Sequence, residues 1–366
     1  MDRRGFLILF ALVLVLRLSI AAGFRGNYDS ESFRMVGELT LSGQNVYAAT
    51  ERYNYSPVWA CIVAGLWALA RPSFSLFVLL LGLLQIGSDA ASALLLSRIA
   101  CRLGRDGDAA RGAALLFFAN PVSVLASCAH GQFDGLAILL LLAAILSALD
   151  GGIVRRPARV IAWLSAALLV KHVTAFHTLL FWRRVRRPGL SDAGIAVPYA
   201  VLAASFLPFA GSWRGIWNNV FVYGARGAKP SALLAFVELP GAARLAFSAL
   251  LVLAVIWAIR EGRDQELPRA ALLLWLTMLT FLPTYGIQYL VWPIAVGSLY
   301  PSWGLGLYSL AAALFHSAWS LDLAWPVRVS SLGAWLAGVL WLTAETARGR
   351  RERSEPTCWV EAQKIP

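Results

Sequence analysis

The chain has 366 residues, of which 59% are hydrophobic and only 14% are charged, with a mean hydropathy of +0.65. A soluble domain carries roughly a quarter charged residues, so a water-soluble globular fold is excluded and the length is read as a series of membrane spans. At about 20 residues per crossing plus loops, roughly 11–12 membrane segments fit, and the expected fold class is an all-α polytopic transmembrane helical bundle. The net charge of +12 does not indicate nucleic acid, because the basic residues stand in short clusters between apolar runs: Arg3-Arg4, Arg155-Arg156, Arg183-Arg184 with Arg186-Arg187, and Arg348 with Arg350-Arg351. That alternation is the positive-inside pattern of a membrane protein.

In chain order, the first apolar run, Phe6 to Ala22, follows Met-Asp-Arg-Arg and imitates a signal peptide. It contains Arg17 and is followed by further spans, so a retained first helix over 6–23 is expected, with a cytoplasmic N-terminus. Residues 24–56 then lie outside and form the longest polar stretch between spans, with Asp29, Glu31, Glu38, Glu51 and several tyrosines. Residues 57–70 are apolar but short and close at Arg71-Pro72. A full crossing there would put Arg98, Arg102, Arg105 and Arg111 outside, so a half-inserted or juxtamembrane helix is expected and 24–73 reads as an outer-face first loop. The second full span is expected at 74–97. Residues 113–129 cross outward, 130–134 make an outer turn, and 135–149 return.

Residues 160–182 are interrupted by Lys171-His172 and flanked by basic loops on both sides, which predicts two short helices turning within the membrane. Irregular backbone at that depth is tolerated only where it is buried or lines a wet cavity. Further spans are expected near 193–210, 242–259, 270–286, 289–300, 304–321 and 327–344, with 348–366 as a basic cytoplasmic tail. The four cysteines, Cys61, Cys101, Cys128 and Cys358, show no zinc spacing and read as free thiols.

Ionisable groups in or beside lipid cost several kcal/mol, so each marks a candidate site. Asp29 and Glu31 sit just beyond the first span, where a carboxylate can deprotonate a hydroxyl or hold a cation; the plain alternative is a solvated loop. Gly43-Gln44-Asn45-Val46-Tyr47 and Tyr53-Asn54-Tyr55-Ser56-Pro57 read either as interfacial anchors or, through Tyr55, as part of a binding surface. His130-Gly131-Gln132-Phe133-Asp134 packs His130, Gln132 and Asp134 into one short turn between apolar runs. Lys171 needs an anion, a cavity or a snorkelling route, and a lipid phosphate would suit its point charge; His172 adjoins it and His177 comes after. Gln288 and Tyr289 precede Trp292-Pro293, at a kink or at a site. Arg226 and Lys229 lie in an outer loop against the charge trend, so an anionic headgroup is their expected partner. Asp89 is expected to pair with a neighbouring helix, and His316 to be a bundle histidine. No P-loop, Rossmann glycine pattern, HExxH or Ser/His/Asp arrangement is present.

Taken in order, these segments resemble the GT-C superfamily of membrane glycosyltransferases. Asp29 stands where those proteins carry an acid in the first outer loop. Tyr47 with Tyr53-Asn54-Tyr55-Ser56-Pro57 is similar to their Gly-x-Pro-Tyr … Tyr-Pro-Pro segment, with Val46 and Ser56 replacing prolines. His130-Gly131-Gln132-Phe133-Asp134 is similar to the His-Phe-Gln-Tyr-Asn of glucosyltransferase members, Lys171-His172 to their Lys-Gln, and Gln288-Tyr289-Leu290-Val291-Trp292 to the Gln-Tyr-Phe-x-Trp of a mannosyltransferase member. The resemblance spans residues 27–292.

It implies that residues 1–347 form one transmembrane catalytic domain. The reaction it implies is transfer of a hexose, mannosyl or glucosyl, from a polyprenyl-phosphate donor to a glycan, glycolipid or protein acceptor, with inversion. Asp29 would be general base and Glu31 auxiliary; Tyr55, His130, Gln132, Asp134, Lys171, His172, Arg226, Lys229, Gln288 and Tyr289 would bind donor or acceptor. Metal dependence varies across the superfamily, so a divalent cation is left open and no metal ligand is assigned. Compact loops point to a prokaryotic plasma membrane, with the active site on the non-cytoplasmic side. The rival expectation is a secondary transporter or flippase of a lipid-linked or anionic substrate, which would show paired broken helices in two matching halves. A non-catalytic membrane subunit would not need Asp29, His130 and Lys171 together.

Overall fold

The computed structural model describes residues 1–150, 157–182, 190–222, 241–262, 265–282 and 286–354. Arg226 and Lys229 lie outside them. Helix α1, Arg3–Gly23, is started by Asp2, whose carboxylate accepts from the Gly5 amide. Its 21 residues reach about 31 Å, enough to cross the hydrocarbon layer. Its outward face is leucine, isoleucine and valine, with Leu12 and Val15 each 61% exposed, while Arg17 is fully buried. A helix that shows hydrocarbon outward and charge inward is solvated by lipid tails. Leu253 and Leu310 show the same inversion further along the chain.

Next come α2 (Tyr28–Leu41), the single turn α3 (Val46–Ala49), α4 (Pro57–Ala70) and α5 (Phe74–Arg102). Residues 28–41, which the sequence predicts as loop, form a helix instead. Phe33, Val36 and Gly37 recur at helical spacing and are buried. They pack on α4 closely enough that a Cβ at Gly37 would lie 3.0 Å from the Val63 carbonyl oxygen. Asn27 caps α2 by accepting from the Ser30 amide, and Asp29 and Glu31 occupy its first turn, the favourable end for negative charge. Helix α4 has 14 residues, about 21 Å, which is short of the roughly 30 Å hydrocarbon core.

The chain continues as α6 (Gly107–Phe118) and α7 (Pro121–Ala129), bent by 47° within the stretch where the sequence predicts an outward crossing over 113–129. Asn120 and Pro121 impose the bend. Pro121 occupies the first position of the new helix, and the Asn120 side chain accepts from the Val122 amide while donating to Ser309 Oγ at 2.8 Å. Helix α8 (Asp134–Leu149) packs on α5 and on α9 (Pro157–Val170). The chain then breaks at Lys171, makes a 3-10 turn over His172–Thr174, and resumes as α10 (Ala175–Trp182). Helix α11 (Leu190–Ser205) is followed by α12 (Leu207–Phe221), with a 57° bend between them.

The remaining elements are α13 (Gly241–Glu261), α14 (Leu267–Phe281), α15 (Ile287–Gly297), α16 (Trp303–Ser320) and α17 (Ala324–Ser354). Helix α17 does not stop at the expected start of the tail. It runs on through Arg348 and Arg350, and Arg269 of α14 pairs with Glu345, at 3.8 Å, and with Glu352. Among the described residues, three helices are long and apolar enough to cross a membrane, and five if each bent pair counts as one span; five shorter apolar helices accompany them.

One buried ion pair fastens α1, α5, α6 and α7 together. Arg17 Nη1 lies 2.7 Å from Asp89 Oδ2, with both side chains buried. The same guanidinium donates to the Phe118 carbonyl at 2.9 and 2.7 Å, closing the C-terminus of α6, and to Ser123 Oγ at 2.7 Å. Ser123 and Ser127 donate to Asp89 Oδ2 in turn, at 3.1 and 2.6 Å. Gly82 permits the approach of α1 to α5, since a Cβ there would lie 3.2 Å from Ala21 Cβ. An arginine does not give up its charge, whereas a carboxylate can be protonated. Asp89→Leu is therefore expected to cost about 3–5 kcal/mol in detergent unfolding. Arg17→Leu should cost less, and the double variant should recover part of the Asp89→Leu loss; additive losses would show that the pair is not coupled.

Candidate functional site

The site is assembled by three breaks in the helical chain and the first turn of α2. Gly131, with φ of +69°, lets the segment after α7 reverse into α8. Gln132 Nε2 then donates to Asp29 Oδ2 at 2.6 Å, and His130 Nε2 lies 3.7 Å from the same oxygen. Asn27 fixes the two segments together. Its oxygen caps α2, while its amide nitrogen donates to the His130 carbonyl at 3.0 Å and stands 3.3 Å from His130 Nδ1. Asp29 is partly exposed, and its Oδ1 has no hydrogen bond among the described residues. One carboxylate oxygen is thus held in place and the other is open to a proton.

Burial pushes the His130 imidazole below the usual histidine range, against the opposing pull of Asp29 and Asp134. A neutral ring at neutral pH leaves the Asp29 carboxylate without a full cationic partner. The ring of His316 lies edge-on to His130 at 5.5 Å, and its Nδ1 is 3.4 Å from Ser320 Oγ.

Beneath this surface layer lies a second buried ion pair. Lys171 Nζ donates to Asp134 Oδ2 at 2.5 Å, and Trp292 Nε1 donates to Asp134 Oδ1 at 2.5 Å. The ammonium lies 4.8 Å from the ring centres of both Phe133 and Tyr289, and 5.9 Å from that of Tyr55. Phe133 stacks on Trp59 at 3.8 Å and meets Tyr55 edge-on at 4.7 Å. Tyr47 Oη donates to the Tyr55 carbonyl at 2.8 Å, Tyr53 Oη donates to the Ser56 carbonyl, and Ser56 Oγ donates to the Leu169 carbonyl at the end of α9. The loop 53–56 therefore seals the same break that presents Lys171.

Of the residues singled out from sequence, Asp29, His130 and Gln132 meet at the surface, and Asp134, Lys171, Tyr55 and Tyr289 meet below them. Gln288 is half-buried on the turn that carries Tyr289, and His172 is half-buried beside Lys171. Glu31 is exposed, with no hydrogen bond or ion pair among the described residues. Two positions along a helix turn the side chain by about 200°, so residues that would be neighbours in a loop point apart in α2. His177 lies elsewhere, stacked on Trp275 at 4.4 Å. The phosphate expected at Lys171 has a protein counterpart, since Asp134 already neutralises it.

Sequence alone gives Asn27 no role and places Trp292 at a kink or a site without naming its partner. The signals are nonetheless present: Asn27 stands three residues before Ser30 at a helix entrance, and Trp292 stands three residues after Tyr289, on the same helical face. Asp89 does pair with a neighbouring helix, through Arg17. Cys61, Cys101 and Cys128 are free thiols. No group of three or more His, Cys, Asp or Glu side chains that could hold a metal occurs among the described residues.

No protein-family model matches the sequence, and comparison with curated proteins gives no match. Among solved structures, the fold is similar to that of ArnT from Cupriavidus metallidurans, crystallised with undecaprenyl phosphate bound. The TM-score is 0.53 with 17% sequence identity, over 100% of this chain and 82% of that one. This is a likeness of fold. Together with the lipid-facing helices it makes the chain a polytopic, all-α integral membrane protein.

The reversing turn offers a direct check on this geometry. A Cβ at Gly131 would lie 3.3 Å from the Phe24 ring and 3.7 Å from Ser30 Oγ, whereas one at Gly43, with a similar φ of +70°, would meet nothing within 4 Å. Gly43→Ala should therefore carry only the left-handed backbone cost of about 1–2 kcal/mol. Gly131→Ala should carry the same cost and in addition displace the turn from α2. Thermal unfolding of the two variants side by side checks this, and equal losses would mean that the turn is not packed against the α1–α2 junction.

Proposed function

We propose that this protein is a GT-C-type glycosyltransferase that moves a hexose from a polyprenyl-phosphate carrier to an acceptor hydroxyl. Asp29 acts as general base on the non-cytoplasmic side of the membrane. The observation that carries the reading is the Asp29 carboxylate at the head of α2, one oxygen fixed by Gln132 and the other open. The likeness of fold to a protein crystallised with undecaprenyl phosphate supports a polyprenyl-linked donor. The choice between mannosyl and glucosyl rests on motif resemblance alone, and placement in a prokaryotic plasma membrane rests on the compact loops.

In this reading Asp29 Oδ1 takes the proton of the acceptor hydroxyl as its oxygen attacks the anomeric carbon. The bond from that carbon to the phosphate oxygen breaks, and its electron pair leaves with the phosphate, inverting the configuration. Gln132 and Asn27 keep the carboxylate aimed, and the neutral His130 leaves it without a cationic partner. The leaving phosphate gathers negative charge, which nearby cations stabilise. Lys171 contributes by sharing its remaining N–H donors while Asp134 keeps one, and Arg226 and Lys229 are the outer-loop candidates. Tyr55, His172, Gln288 and Tyr289 border the Lys171 break and would contact the donor. Asp134 acts through Lys171, and Glu31 keeps at most an auxiliary role.

Secondary transport is the second reading, favoured by the two bent helix pairs. A transporter would use such a carboxylate to couple a proton or cation, whereas a transferase needs it as the base for a hydroxyl. Asp29→Asn should lower transfer from a radiolabelled polyprenyl-phosphate sugar by about 10²–10⁴-fold while leaving affinity for undecaprenyl phosphate unchanged. Activity near wild type in the purified variant would reject Asp29 as the base.

Lys171→Met separates two roles of the buried cation. If Lys171 shares its charge with the donor phosphate, undecaprenyl phosphate should bind at least about tenfold more weakly, the equivalent of about 1.4 kcal/mol. Unchanged lipid affinity with a large drop in thermal stability would instead make Lys171 a purely structural partner of Asp134.

A further inference from the structure

Beside the α2 entrance lies an open pocket of about 380 Å³, lined chiefly by Tyr47, Thr50, Glu51, Ser212, Asn218 and Asn219. That volume is in the usual range for small-molecule sites, about 300–1,000 Å³, and beside Ala48, Ala49 and Gly215 the lining side chains carry amide, hydroxyl and carboxylate groups. Its two walls are tied together: Asn45 Nδ2 donates to Ser212 Oγ at 2.9 Å, and Asn219 Nδ2 donates to the Thr50 carbonyl at 3.1 Å. Gly215 is required between them, because any side chain there would run into the Tyr47 carbonyl. Glu51 is exposed, and its carboxylate has no hydrogen bond or ion pair among the described residues.

The pocket is also tied to the base. Arg52, the residue after Glu51, donates to the Tyr28 carbonyl at 2.9 Å and to Ser32 Oγ at 3.0 Å, and its guanidinium lies 3.8 Å over the Tyr28 ring. One wall is thereby fixed to the helical turn that carries Asp29. The other wall, the C-terminal half of α12, has two faces. Ile216 and Asn219 turn inward and are buried, while Trp213, Trp217 and Phe221, four residues apart, are each about half exposed. Their rings touch in sequence, with centres 6.2 and 5.9 Å apart. Indole rings in an exposed stripe on a membrane protein lie at the level of the lipid headgroups.

We propose that this pocket is an acceptor subsite that takes a sugar ring of a membrane-anchored glycan, with Glu51 accepting hydrogen bonds from its hydroxyls and the Trp213–Trp217–Phe221 stripe resting against its lipid part. The proposal rests on the glycosyltransferase reading and names its acceptor class. A carboxylate and amides suit neutral polyhydroxyl groups, and the aromatic stripe suits an alkyl chain leaving the pocket into the interface.

The test uses the full chain in lipid nanodiscs, with methyl and octyl glycosides of glucose, mannose and galactose as probes and undecaprenyl phosphate as a separate donor-side probe. At least one octyl glycoside should bind more tightly than its methyl counterpart. Glu51→Gln should weaken both by roughly ten- to a hundredfold, the worth of a charge-assisted hydrogen bond. The double variant Trp213→Ala with Trp217→Ala should abolish the octyl preference alone. Glycosides that bind wild type and Glu51→Gln equally, or bind neither, overturn the subsite. Undecaprenyl phosphate distinguishes the two failures: if it binds wild type, only the acceptor subsite falls, and if it does not, the donor reading falls separately.

Discussion

Every polar group taken into this bundle must find its partner inside the protein, because hydrocarbon offers none. The Lys171–Asp134 pair is the clearest consequence of that constraint. Lys171 stands where α9 ends, Asp134 where α8 begins, and Trp292 on α15 supplies the second hydrogen bond to the carboxylate. Three interruptions of regular helix thus converge on one carboxylate, and each would be costly alone. The aromatic walls of Phe133, Tyr55 and Tyr289 exclude water and favour the ammonium through their ring faces. Once Asp134 is fixed, so is the turn immediately before it, and that turn carries His130 and Gln132.

The Arg17–Asp89 pair applies the same logic one layer further toward α1. It holds α1, α5, α6 and α7 in register, so that the end of α1 delivers Asn27 to the turn at 130–133. Asp89 and the second pair lie back to back across Gly135: a Cβ there would come within 2.6 Å of Asp89 Oδ1. A glycine next to Asp134 is what allows two buried carboxylates on adjacent helices to keep separate cations.

Much of this is legible in the sequence, for a physical reason. Lipid forbids so much that the few departures from apolar composition carry nearly all the information: Lys171 marks a broken helix, His130 to Asp134 an outer turn, and Asp29 a membrane mouth. Three things are hidden. Helix α2 reads as loop because its buried positions, Phe33, Val36 and Gly37, are few and set among acids; that reading also joins Asp29 to Glu31, which a helix separates. The continuation of α17 through its arginines is hidden because Glu352 serves Arg269 on another helix and Glu345 is shared between Arg269 and Arg348. The identity of each ion-pair partner is hidden because pairing across 37 or 72 residues is decided by packing, and sequence spacing says nothing of it.

The two ion pairs also explain why the exposed acid, and not a buried one, is the group left for chemistry. Asp89 and Asp134 are both buried and neutralised by a cation, so even Asp89 Oδ1, which has no hydrogen-bond partner among the described residues, does not face outward, and protonating either acid would strand its partner's charge. Asp29 has no such cation. Its fixed neighbours are an amide and an imidazole that burial keeps neutral, both of which orient a carboxylate without cancelling it. Asp29 is therefore held in position with one oxygen left unpaired among the described residues. Among these three acids, Asp29 is the one where taking up a proton leaves no stranded cation.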